Sequence, residues 1–146
     1  MINTQKSSFQ YSNPQIVFFQ YDGNVNAPQK EWQMKMSHRK TIARDCDDHA
    51  LVVLEFMISA GEPDSPFELK SKIQAEFKWE GITEKELPIL LNRNAPAILL
   101  GFLRPFISIF TNSTGFPPFN LPLIDFSDDP LIDVSLHEDE ENDEAN

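Results

Sequence analysis

Residues 94–126 read NAPAILLGFLRPFISIFTNSTGFPPFNLPLIDF, and no other segment of the chain limits its folding options so severely. Between Ala97 and Phe110 only Arg104 and Ser108 are polar, so a helix there has no conventional wet face. A helix that is apolar all round is either buried on several sides or sits in a membrane. The run is too short to span a bilayer, which takes about 20 apolar residues, and it carries Arg104 and Pro105. Beyond it, Phe116, Phe119, Leu121, Leu123 and Ile124 stand among Pro117, Pro118 and Pro122, an extended, stiff and apolar loop. Something besides the subunit's own core is expected to cover part of both elements.

The first layer of cover is legible upstream. From Phe67 to Glu80 the apolar residues Phe67, Leu69, Ile73, Phe77 and Trp79 share one parity, and Glu68, Lys70, Lys72, Gln74, Glu76, Lys78 and Glu80 the other. That alternation predicts a half-buried strand. Ala50–Ser59 is apolar on both parities except at Glu55, a more deeply covered strand, and the GEPDSP stretch between the two has hairpin turn chemistry. Trp32, Met34, Met36 and His38 alternate with polar residues as a third strand, and Gln15–Tyr21 makes a fourth. The period then changes. Thr83 and Glu86 fit a capping box, Pro88 makes a first helix short or irregular, and Asn94-Ala95-Pro96 opens a second. That helix is expected to end near Thr111 and to kink at Pro105, which lacks the amide that would bond Gly101. Strands followed by helices predict an α+β fold: a four-stranded antiparallel sheet with helices packed on one face.

A sheet covers one side of the Ala97–Phe110 helix. Cover for its remaining sides points to a copy of the same chain, with Ile98, Phe102, Phe106, Ile109 and Phe110 at the interface. At 146 residues the chain reads as one domain able to bury roughly 70% of its unfolded surface without metal or disulfide. Its single cysteine, Cys46, suits a reducing compartment. The N-terminal stretch has no apolar core of a signal peptide, so a soluble, cytoplasmic protein is expected.

The net charge of −11 belongs to one end of the chain. From Asp125 onward there are ten acidic residues and no Lys or Arg, which leaves 12 basic against 13 acidic residues in 1–124. Two regions follow: a folded domain over 1–126 and an acidic tail over 127–146, expected to be disordered for want of apolar surface. A nearly neutral body without a basic stripe disfavours nucleic acid.

Catalytic chemistry is not indicated. The five glycines stand alone, so no phosphate-cradling loop is present. Cys46, Asp47, Asp48 and His49 form a compact group of metal-ligand types, but one thiol and one imidazole with no second cluster do not make a metal motif. His38, His49 and His137 show no spacing that favours an acid–base pair. No metal or cofactor is expected. What remains is a binding surface of adaptable aromatic and thioether side chains, Trp32, Met34, Met36, Phe67, Trp79, Phe116 and Phe119.

At these residues the chain resembles the SecB protein-export chaperone family. The family's helix-to-crossover signature appears as Gly115-Phe116-Pro117-Pro118-Phe119-Asn120-Leu121-Pro122-Leu123-Ile124-Asp125-Phe126. Pro96, Ile98 and Leu99 match the helix entry, and Arg104 the family's arginine position. Gln29-Lys30-Glu31-Trp32-Gln33 resembles its Q-K-D-W segment, and Asp47-Asp48 and Phe67-Glu68-Leu69 follow its layout. In place of the family's second C-terminal helix stands SDDPLIDVSL, interrupted by Pro130. The resemblance implies an ATP-independent holdase for unfolded polypeptides, a homotetramer built as a dimer of dimers, and SecA as a possible partner. It implies client contacts at Trp32, Met34, Phe116, Phe119 and Leu121. The alternatives are a chaperone dedicated to one client, such as an antitoxin, and an oligomeric adaptor without client binding.

Overall fold

A computed structural model of the chain describes residues 8–115 and 119–136. Five strands form one antiparallel sheet: β1 (Phe9–Tyr11), β2 (Gln15–Gly23), β3 (Lys35–Cys46), β4 (His49–Ser59) and β5 (Phe67–Trp79). Both β1 and β2 pair with β5, at its end and its beginning respectively, so they are two pieces of one edge strand. The sheet is therefore four strands wide, in the order β1/β2, β5, β4, β3. The expected third strand is displaced: β3 starts at Lys35 and runs to Cys46, leaving Trp32 and Met34 ahead of it. Pairing with β4 along its whole length imposes that extent, although Thr41–Cys46 carries little apolar pattern of its own.

Alternation decides the faces. Leu69, Ile73 and Phe77 of β5 and Val52, Leu54 and Ile58 of β4 are at most 1% exposed and point to the same side. Burying each such side chain contributes about 1.5–3 kcal/mol. Glu55, the polar exception in β4, lies on the other side. There it is directly opposite Arg39 on one flank and Lys72 on the other, with ion-pair distances of 3.1 and 3.0 Å. The Lys72 and Arg39 contacts hold its carboxyl below the usual carboxylate range.

The helical region is one continuous rod with an irregular start. The Glu86 amide donates to Thr83 Oγ1 at 3.2 Å, as the capping box requires. Then come α1 (Leu87–Ile89), a π-helical turn (Leu90–Asn94) and α2 (Ala95–Asn112). Asn94 is helical (φ −73, ψ −44) and caps nothing with its side chain, so the second start expected there is absent. The π turn carries the backbone straight through it. Pro96 has no N–H to offer the carbonyl four residues back; the Lys40 ammonium instead donates to that oxygen of Asn92 at 3.0 Å. Helical assignment continues through Pro105, whose orphaned partner Gly101 is exposed.

By length and composition the 26 residues Leu87–Asn112 could cross a bilayer. In the fold their inner row, Leu99, Leu103 and Ile107, is fully buried, where α2 packs on β4 and β5. Residues 119–136 then return across the molecule and bury Leu121, Phe126 and Val134. Beyond the expected domain edge at residue 126, Val134 is buried and Asn92 and Arg44 hydrogen-bond the carbonyls of Ile132 and Val134. The last ten acidic-rich residues lie outside the described ones.

Candidate functional site

The two polar side chains of the apolar helix have a definite task. Arg104, Ser108 and Thr111 lie along one face of α2 at spacings of four and three residues. Arg104 Nε donates to the Leu121 carbonyl at 2.9 Å, Ser108 Oγ to Asn120 Oδ1 at 2.8 Å, and the Phe119 amide donates to Thr111 Oγ1 at 2.8 Å. This polar row fastens the crossover to the helix without needing a hydrogen-bond ladder. Leu121, expected as a client contact, is 2% exposed and docks the crossover into the subunit's core, with Arg104 bonded to its carbonyl.

Phe119 is half-buried, its ring 6.1 Å from that of Phe67 at the start of β5. Met34 is half-buried against the core. Trp32 is half-buried too: its indole N–H donates to the Pro28 carbonyl at 3.1 Å, and the Lys30 ammonium stands 4.1 Å from the ring centre. Lys30 in turn pairs with Glu62 in the β4–β5 turn at 3.3 Å. Trp32, Met34 and Phe119 therefore gather at the sheet end where β4 passes into β5. Phe116 lies outside the described residues.

The expected interface residues divide into two groups. Ile98 and Phe110 are half-buried, Ile98 against the core and Phe110 with its ring 4.6 Å from Phe19 and 5.2 Å from Tyr21. Phe102, Phe106 and Ile109 are 49, 37 and 70% exposed and form an outward apolar row beside the β1/β2 edge.

One surface escaped the sequence reading. On the open sheet face, Phe18 and Met57 are 44 and 41% exposed and line a hollow of about 300 Å³ with Arg39, Glu55, Lys70 and Lys72. The signal was present in Gln15–Tyr21, which is apolar on both parities. A bulge between Ile16 and Phe18 turns Phe18 outward and Phe19 inward.

Asp45, Cys46 and His49 bring potential metal ligands within 4.8 Å of one another on the β3–β4 turn. Hydrogen bonds already use them: His49 Nδ1 to Asp45 at 2.6 Å and the Cys46 thiol to Asp48 at 3.2 Å. His38 Nε2 lies 2.7 Å from Asp129.

Comparison with known proteins agrees with this geometry. The family model for the preprotein translocase subunit SecB matches residues 2–129. The protein-export protein SecB of Jannaschia sp. is 31% identical over 104 residues, covering 68% of this chain and 59% of the relative. That of Cereibacter sphaeroides is 28% identical over 103 residues, covering 68 and 60%. The matched segment thus spans about three-fifths of these relatives' length. Among solved structures, the Mycobacterium tuberculosis SecB-like chaperone in complex with a ChAD peptide from the HigA1 antitoxin superposes with a TM-score of 0.64 at 17% identity. That match covers 80% of this chain and 88% of that one. The antiparallel sheet followed by a long helix matches a SecB-like fold, and the chain belongs to the SecB family.

Proposed function

We propose that this protein is an ATP-independent holdase that binds unfolded or extended polypeptide in the cytoplasm. Family membership over residues 2–129 carries the reading. The exposed aromatic and thioether groups supply its physics: many weak apolar subsites, repeated in a homo-oligomer, reach useful strength through avidity. Trp32, Met34 and Phe119 are the client contacts, joined by Phe116. Phe18 and Met57 add a second apolar patch with cations around it. Nothing in this activity requires catalysis or a cofactor.

A dedicated client is the second reading. The tuberculosis structure holds a peptide from an antitoxin, and in this chain the sheet face is not acidic. Lys35, Arg39, Lys70, Lys72 and Lys78 there stand against Asp22, Glu55, Glu68 and Glu76. SecB proteins offer SecA an acidic sheet surface, so this balance favours a role without SecA. The test is suppression of aggregation of a chemically unfolded protein at stoichiometric ratio without ATP, with tryptophan fluorescence read in parallel. Suppression with a shift that Trp32→Phe abolishes is expected. No suppression and an unmoved spectrum would leave an adaptor that has lost client binding.

A further inference from the structure

One patch of the open sheet face is positive on a chain whose net charge is −11. Two rows of side chains build it, each running across the strands. In the first, Arg39, Glu55, Lys72 and Phe18 stand opposite one another in turn on β3, β4, β5 and β2. In the next, Met57 faces Lys70. Opposite side chains in such rows lie about 5 Å apart, so these groups act together, and all of them line the hollow of about 300 Å³. Its apolar part stands open to water. Phe18 is 44% exposed because the bulge between Ile16 and Phe18 reverses its side, and bulges beside functional surfaces serve to re-aim a side chain. Met57 is 41% exposed.

The charges around this apolar floor are not balanced. Glu55 is shared between Arg39 at 3.1 Å and Lys72 at 3.0 Å, so one carboxylate meets two cations. Lys70 has no ion-pair partner among the described residues. Three cations against one carboxylate thus gather on a body with 12 basic and 13 acidic residues over 1–124. A local excess of one sign attracts the opposite sign from solution and fixes its register on the surface. Resting on the reading of this chain as a polypeptide-binding protein, we propose that the open sheet face is a docking site for an acidic polypeptide segment. One bulky apolar side chain of that segment enters the hollow against Phe18 and Met57, and its flanking carboxylates meet Lys70, Lys72 and Arg39. The hollow lies at the small end of ligand pockets, so it takes one side chain, and charge supplies most of the selectivity.

The probe is a synthetic, fluorescein-labelled peptide with one tryptophan between two triplets of glutamate, titrated by anisotropy into full-length protein. Two control peptides carry serine in place of every glutamate, or alanine in place of the tryptophan. The glutamate peptide is expected to bind at least about tenfold tighter than the serine peptide, where tenfold corresponds to about 1.4 kcal/mol. Added salt should narrow that gap, because exposed charges are screened. Lys70→Glu, which breaks no ion pair within the subunit, should weaken the glutamate peptide about fivefold, the scale of one exposed ion pair. Phe18→Ser should weaken the tryptophan peptide and leave the alanine peptide unchanged, and it serves if Lys70→Glu does not fold. Equal binding of the glutamate and serine peptides, or a glutamate peptide indifferent to both variants, would overturn the proposal. Suppression of the aggregation of chemically unfolded citrate synthase by the native chain separates the two possible failures. Suppression without selective peptide binding overturns the acidic docking site and leaves polypeptide binding standing. Neither suppression nor peptide binding overturns the polypeptide-binding reading itself, and the docking site with it.

Discussion

Arg44 ties three parts of the molecule together. Its guanidinium makes a two-pronged contact with Glu84 at 2.8 and 3.0 Å, and it donates to the carbonyls of Cys46, Asp47 and Val134. The Glu84 contact raises its pKa above the ordinary value, and charged hydrogen bonds of this kind contribute about 1.5–3 kcal/mol. Arg44→Ala is expected to destabilise by about that amount, and Arg44→Lys, which loses the planar fork, by most of it; urea melts measure both. Ser71 is the opposite case. Its hydroxyl is buried with no hydrogen-bond partner among the described residues, so Ser71→Ala should stabilise by about 1 kcal/mol in the same melts. His49 carries a pH dependence. Its hydrogen bond to Asp45 raises its pKa, with Glu76 reinforcing from 3.7 Å and Lys78 opposite it in the ladder. The stabilisation is complete below the unfolded histidine value and fades as pH rises through the folded one. The melting temperature of His49→Asn should therefore fall short of the native protein's by more at pH 5.5 than at pH 8.5.

Elements whose pattern reflects one dominant interaction were legible in the sequence. The parity of β5 reappears as strict alternation of burial from Phe67 to Trp79, and the hydroxyl half of the capping box forms because Thr83 and Glu86 stand three residues apart. Elements fixed by a distant partner were not. The length of β3 follows from β4, and the continuity of the helix through Asn94 follows from a π turn stabilised by Lys40 from another strand. Residues 127–136 escaped because ten carboxylates dominate the composition around them, although Ile132 and Val134 already stood two apart. Of the candidate site, the gathering of Trp32, Met34 and Phe119 at one sheet end was foreshadowed by type and order. The burial of Leu121 depends on Arg104 and had no signal of its own. The polar row on α2 makes an element-scale prediction. Thr111→Val removes the acceptor of the Phe119 amide, and the loss of one half-buried hydrogen bond should cost about 1 kcal/mol. The crossover should then be cleaved faster by a protease that cuts after Phe119, while sheet amides keep their hydrogen-exchange protection.

On the scale of the whole molecule, the apolar helix α2 has only part of its surface covered by one subunit. Leu99, Leu103 and Ile107 face the sheet, and Phe106 and Phe110 lean on Phe19, but Phe102 and Ile109 remain far more open than a core helix allows. A contiguous apolar row of this kind marks an association surface, and self-complementary packing of one helix row on its copy is the simplest way to close it. The expected homotetramer, assembled as a dimer of dimers, would bury this row between subunits. Ile109 isolates the question, since at 70% exposure its side chain contributes little within the subunit. Ile109→Asp should change subunit stability by no more than about 0.5 kcal/mol, the usual range for an exposed position, yet place a carboxylate in the centre of the contact. Light scattering at micromolar concentration should then show the assembly reduced to a dimer or monomer. The circular dichroism spectrum should stay native, and holdase activity should fall because avidity is lost. An unchanged mass in the variant, or a native protein that is already monomeric, would refute the helix as the assembly surface and leave its outer row to bind clients directly.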